Sequence, residues 1–110
     1  MFIMKAYYLT LIAAAGLLLT EPMRAADHLI GQKNRAFSAT ELTIRPGDTI
    51  TFKNLDEVTH NVFSATPQME FDIRRQAPGG ASTVTLENAG VAEVRCSIHP
   101  KMKLMVTVKK

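Results

Sequence analysis

Cys96-Ser97-Ile98-His99-Pro100-Lys101-Met102 sets a thiol, an imidazole and a thioether at successive intervals of three residues. Thiolate and thioether sulfur are soft donors, and imidazole suits both oxidation states of copper. Pro100 fixes its own φ and biases His99 towards extended backbone, so the loop that carries the imidazole is stiff. A second imidazole, His60, stands upstream in the stretch from Asn54 to Asn61, which is expected to be a loop. Two imidazoles, one thiolate and a weak, long thioether form the ligand set of one-electron copper centres. Zinc more often takes four strong nitrogen, sulfur or carboxylate ligands, and only three such donors are well placed here. The expected metal ligands are therefore His60, Cys96, His99 and Met102, around one copper ion per chain that cycles between Cu(I) and Cu(II).

Each of these residues also has a plainer role open to it. Cys96 can be a small buried hydrophobe and Met102 ordinary core at a strand start. His99 can be a surface residue beside a turn proline. His60 can be a loop residue packed near Asp56 or Glu57, a pair of acids that reads as solvated. A C-x-x-H pair alone is common; Met102 downstream and His60 upstream are what make the pattern specific. Met69 is expected to pack and Met105 to lie on the face opposite Met102. His28, close to a chain end, is left outside the site. Arg74 and Arg75 read as a solvated pair in preference to a contact for an acidic partner.

Strands must position these groups. Leu42 and Ile44 alternate with Glu41, Thr43 and Arg45, and Pro46-Gly47-Asp48 makes a turn. Ile50 and Phe52, then Val84 and Leu86, alternate with polar neighbours. After a turn at Asn88, Ala89 and Gly90, the residues Ala92, Val94 and Cys96 share one face. Met102, Leu104, Val106 and Val108 share a face in the last strand. Short strands between regular turn signals predict an all-β sandwich or small barrel. Residues 65–82 are the least regular part and are expected to form a long loop that has room for one short strand.

Ala6 to Leu19 is an apolar run preceded by Lys5 and followed by Ala25 and Ala26. A basic start, a short apolar centre and small residues mark a cleavable export signal over residues 1–25. The run is short for a membrane span, although an uncleaved anchor is the alternative. Cleavage after Ala25 fits better than cleavage after Ala26, which would leave Arg24 three residues before the cut. The remaining domain, residues 26–110, has 85 residues and a net charge of +2. That charge is too small and too dispersed for a nucleic-acid binder. Export places the domain in an oxidising compartment, the periplasm, where a single cysteine has no partner for an intramolecular disulfide. Held by a metal, such a thiol is protected from oxidation.

Enzymatic readings are weak. A Cys–His nucleophile needs an orienting third group and a substrate cleft, and Cys96 and His99 share one tight loop in a domain with little room for a cleft. Gly79-Gly80 lacks the flanking pattern of a phosphate-binding loop.

At Arg45-Pro-Gly-Asp48, His60-Asn61-Val-Phe63 and the Cys96–Met102 loop, the sequence resembles the cupredoxin family, of the amicyanin, pseudoazurin and plastocyanin type. The resemblance runs from about Gln32 to Val108, and the two-residue gaps on either side of His99 are most similar to amicyanin. It implies a Greek-key β-sandwich with copper near one end, bound by His60, Cys96 and His99 with Met102 axial. It further implies that Asn61 ties the two ligand loops together beside the thiolate. With no Trp, and no Tyr outside the leader, electrons would enter and leave by the exposed edge of His99. The expected function is a monomeric periplasmic electron carrier, with a c-type cytochrome or a periplasmic dehydrogenase as redox partner. The alternative is a periplasmic copper-handling protein, a chaperone or buffer without an electron-transfer partner. A metal-free interaction module is the third reading.

Overall fold

Side chains alternate across a strand, so a strand with one apolar face must cover it with another layer. In the computed structural model, which describes residues 24–110, nine strands do this in two facing sheets. The strands are β1 (Asp27–Lys33), β2 (Ala36–Phe37), β3 (Glu41–Ile44), β4 (Thr49–Asn54), β5 (His60–Ser64), β6 (Phe71–Gln76), β7 (Ala81–Thr85), β8 (Gly90–Arg95) and β9 (Lys103–Val108). One sheet has the order β2-β1-β4-β7 and the other β3-β9-β8-β5-β6. Two pairings, β1 with β4 and β3 with β9, are parallel, and the rest are antiparallel. This is the expected all-β sandwich. The export-signal expectation falls mainly on residues 1–23, which lie outside the described residues.

Ile50 and Phe52 of one sheet and Val62, Val94, Leu104 and Val106 of the other are wholly buried between the layers. Phe37 and Phe71 flank Phe52 with ring centroids 6.2 and 6.0 Å away. Burial of a side chain of that size contributes about 1.5–3 kcal/mol.

The register gives the sandwich two ends. The last residues of β1, β4, β6 and β8 and the first of β5 and β9 gather at one pole. The start of β1, the β3–β4 turn and the end of β9 gather at the other. The turn at the second pole was legible: Asp48 N–H donates to the Arg45 carbonyl at 3.0 Å, and Gly47 takes a φ of 88°. Pro then Gly with positive φ is a type II turn.

One expectation needs correction, and two stretches are more regular than the alternation reveals. His60 is not in a loop; it opens β5, and only residues 55–59 link it to β4. Residues 65–82 hold the one strand expected of them, β6, and also the first two residues of β7, with the rest outside strands. The β6 pattern is broken by a bulge, in which Asn61 pairs with Arg75 but Phe63 pairs with Asp72, and Arg74 has a φ of 67°. One extra residue shifts the inside–outside alternation, which hides a strand from a period-two reading. Finally, β1 and β2 form a hairpin that the alternation does not reveal, because in β1 Leu29 is exposed while Gln32 is buried. Its two-residue loop, Asn34 and Arg35, has φ values of 53° and 54°, as a type I′ hairpin requires.

Candidate metal centre

At the first pole three donor atoms converge. Cys96 follows the last residue of β8 and is 1% exposed; His60 at the start of β5 is fully buried; His99 is half-buried in the loop before β9. Cys96 Sγ lies 3.8 Å from His60 Nδ1 and 3.9 Å from His99 Nδ1, and the two Nδ1 atoms are 3.1 Å apart. Metal–nitrogen bonds of about 2.0–2.1 Å and a metal–sulfur bond of about 2.3 Å to a common centre give edges of roughly 3.1–3.8 Å. The triangle has the size of a coordination shell. Among the described residues, His60, Cys96 and His99 form the cluster able to hold a metal ion.

The donor chemistry is equally restrictive. Asp56 Oδ2 accepts a hydrogen bond from His60 Nε2 at 2.9 Å. An ionised carboxylate can only accept, so the ring proton is on Nε2 and the Nδ1 lone pair faces the cluster. Asp56 is fit for this role, because Arg35 N–H donates to the same oxygen at 2.8 Å and Glu57 N–H to the other at 3.0 Å. These bonds, that from Arg35 foremost and that from His60 next, hold its carboxyl far below the ordinary carboxylate range. His99 is held below its ordinary value mainly by burial, with His60 and Arg35 adding and Asp56 opposing. A low value keeps the imidazole neutral and able to donate its lone pair.

Asn61, next to His60, joins the loops. Its backbone N–H points at Cys96 Sγ at 3.4 Å, and its Oδ1 accepts from Ser97 N–H at 3.1 Å and Ser97 Oγ at 2.9 Å. Asn61 Nδ2 donates to Asp72 Oδ1 at 2.8 Å. Asp72 is presented by the bulge in β6, where it also accepts from Arg74 N–H at 2.7 Å. The role that the resemblance implied for Asn61 is therefore present in the bonds. Met102 is 2% exposed, and its N–H donates to the His99 carbonyl at 3.0 Å, closing the tight loop.

His28 lies at the other pole, as expected of a residue outside the site. Met69 is buried as packing, and Met105 is half-buried on the face opposite Met102. Asp56 and Arg35 were missed. Asp56 is not a solvated acid, and the available signal was a carboxylate four residues before a candidate ligand histidine. Nothing local marks Arg35, whose N–H reaches Asp56 through the hairpin.

The description "copper binding proteins, plastocyanin/azurin family" matches residues 26–109. No curated protein sequence matches the chain. Among solved structures, a purple cupredoxin from Nitrosopumilus maritimus is 27% identical with a TM-score of 0.67, over 76% of this chain and 100% of that one. A Cu(I) structure of a methionine mutant of amicyanin is 22% identical with a TM-score of 0.70, over 76% of this chain and 82% of that one. A reduced proline mutant of amicyanin is 24% identical with a TM-score of 0.70, over 81% and 87%. At such identities the amicyanins speak for the fold alone. Sandwich, sulfur–imidazole triangle and matched span agree, and the chain belongs to the copper-binding plastocyanin/azurin family, the cupredoxins.

Proposed function

We propose that this protein is an exported type I copper protein that carries single electrons between periplasmic redox partners. His60 Nδ1, Cys96 Sγ and His99 Nδ1 would be the strong ligands of the copper, and Met102 Sδ would be the weaker fourth. Bound there, copper supplies a one-electron couple. The protein residues do the rest: Asp56 fixes the His60 tautomer, Asn61 holds the two ligand loops at one spacing, and Pro100 stiffens the loop around His99. The observation that carries this reading is the triangle of one thiol sulfur and two Nδ1 atoms, sized for a metal and backed by a carboxylate.

Residues 1–25 are read as the leader that directs export, and the folded domain works as a monomer. Among the described residues, no helix is long and apolar enough to cross a membrane. Electrons pass by the His99 edge, where Ile98 is 45% exposed and a depression of about 290 Å³ is lined by Arg35, Ile98, His99, Pro100 and Lys101. A redox protein such as a c-type cytochrome or a periplasmic dehydrogenase fits there. The test is a visible spectrum after adding Cu(II), beside Cys96→Ser. An intense thiolate band near about 600 nm, absent in the variant, is the expected result. A colourless protein that binds only Cu(I) would move the assignment to copper handling.

A further inference from the structure

The Asp48 carboxylate at the second pole is 6% exposed in its side chain and is bonded by three segments. Its Oδ1 accepts from the backbone N of Ala26 at 2.9 Å, and its Oδ2 from Arg45 N–H and His28 Nε2, both at 3.0 Å. The Ala26 and Arg45 bonds, then His28, hold the carboxyl down to about 2, so it is an anion at neutral pH. Ala26 is also fixed by its other backbone group. Its carbonyl accepts from Thr49 N–H at 3.0 Å, at the point where β1 begins to pair with β4. A nearly buried anion is best met by a full opposite charge, and a neutral amide offers only a dipole.

Ala26 is the residue that follows the expected export cut. We propose that cleavage between Ala25 and Ala26 puts the new α-ammonium of Ala26 on Asp48 Oδ1, so that removal of the leader completes an ion pair that clamps β1 to the β3–β4 turn. This rests on the leader reading given above. The step is hydrolysis by an export-signal peptidase. Water adds across the Ala25–Ala26 amide, the carbonyl carbon leaves as the Ala25 carboxylate, and the Ala26 nitrogen becomes an ammonium. Cutting one residue later would discard both backbone anchors of Ala26. It would start the chain at Asp27, whose carboxylate is already taken by the hydroxyls of Thr49 at 2.6 Å and Thr51 at 3.1 Å.

Other charges face this pole. Asp27 and His28 stand on β1, Arg45 precedes the turn, and Glu87 follows β7 beside Gly47. Lys109 and Lys110 follow β9, and together with Arg24, Arg45 and His28 they line one hollow with Asp48. The cut removes Arg24 from that hollow and supplies a cation in direct contact with the carboxylate.

The test uses the full chain, exported and processed, with intact mass, α-amine titration and thermal melting measured on one preparation. The mass should begin at Ala26, and the α-amine should titrate above its ordinary range of about 7.7–8.0. A raised folded value means that the ammonium stabilises fully below the ordinary range and ceases to as pH rises through the raised value. The melting temperature should therefore fall on the alkaline side. Two variants should lose that fall and melt several degrees lower at neutral pH, by about 4–8 °C per kcal/mol for a domain of this size. These are Asp48→Asn and an insertion of one alanine between Ala25 and Ala26, which leaves an amide at the Ala26 nitrogen. An Ala26 start with an ordinary α-amine and no effect of the insertion overturns the ion pair and leaves the leader reading standing. A start at another residue overturns the ion pair and moves the end of the leader, and retention of residues 1–25 overturns both. The copper spectrum of the same samples tests the electron-carrier reading separately.

Discussion

The molecule uses a histidine–aspartate pair at each pole, and the two pairs have different consequences. At the metal pole His60 Nε2 meets Asp56 at 2.9 Å; at the far pole His28 Nε2 meets Asp48 at 3.0 Å. The bond is the same, so the difference lies in what the rest of each ring faces. His60 is fully buried, and its Nδ1 points at a sulfur and a second imidazole. The His28 side chain is 27% exposed, and the carboxylate it meets is bonded to the backbone of a turn and of the chain before β1. One pair prepares a ligand; the other fastens a strand. A histidine–carboxylate contact by itself therefore carries no function, and the second nitrogen decides.

That contrast is most severely tested by removing each ring. His60→Ala should abolish the thiolate–copper band, because it deletes one corner of the triangle. His28→Ala should leave the band in place and lower the melting temperature. Absorption spectra and thermal melts of the two variants decide the matter. A His28→Ala protein without colour would break the division between the poles.

Removing charge from the carboxylates is a finer test. Asp56→Asn keeps an oxygen that can accept from His60 Nε2 and deletes the negative charge behind the ligand. Loss of such a partner typically weakens metal binding about 10–100-fold. The negative charge favours Cu(II) over Cu(I), so its removal should also raise the reduction potential, by about 59 mV for each tenfold bias between the two states. Voltammetry of Asp56→Asn beside Asp48→Asn checks both points, since the second substitution is expected to leave the potential where it was.

The two poles also differed in how far the sequence revealed them. Cys96, His99 and Met102 stand in one seven-residue loop, so their convergence is a local fact that spacing can carry. His60 is distant in sequence, and the recognised neighbours His60-Asn61-Val-Phe63 linked it to that loop. Asp56 escaped because the turn that aims it is built from an Asn54 side-chain bond to its own N–H and from the Arg35 hairpin. Strands β3, β4, β8 and β9 alternate cleanly and were legible. In β6 the bulge at Arg74 breaks the alternation, and in β1 the buried Gln32 inverts it. Gln32 is tolerated inside because its Nε2 donates to Gln76 Oε1 at 2.7 Å, a partner 44 residues away. The pairing of His28 with Asp48 was equally invisible, since parallel pairing of β1 with β4 brings together residues that no local pattern relates.

The smallest of the expected effects distinguishes the poles by acid. The Asp48 carboxyl is lowered from an ordinary value near 3.8 to about 2, chiefly by the backbone N–H groups of Ala26 and Arg45. A folded value below the unfolded one means that the unfolded chain takes up the proton first. The stabilisation from Asp48 is then complete above the ordinary value and is lost as pH falls from there through about 2. Acid unfolding of the native protein and of Asp48→Asn, followed by far-ultraviolet circular dichroism, should show stabilities that differ at pH 5 and converge as the pH approaches 2. A gap that persists unchanged to pH 2 would mean that Asp48 acts through shape alone. The far pole would then be held by packing, and its histidine–aspartate contact would be a consequence of the fold.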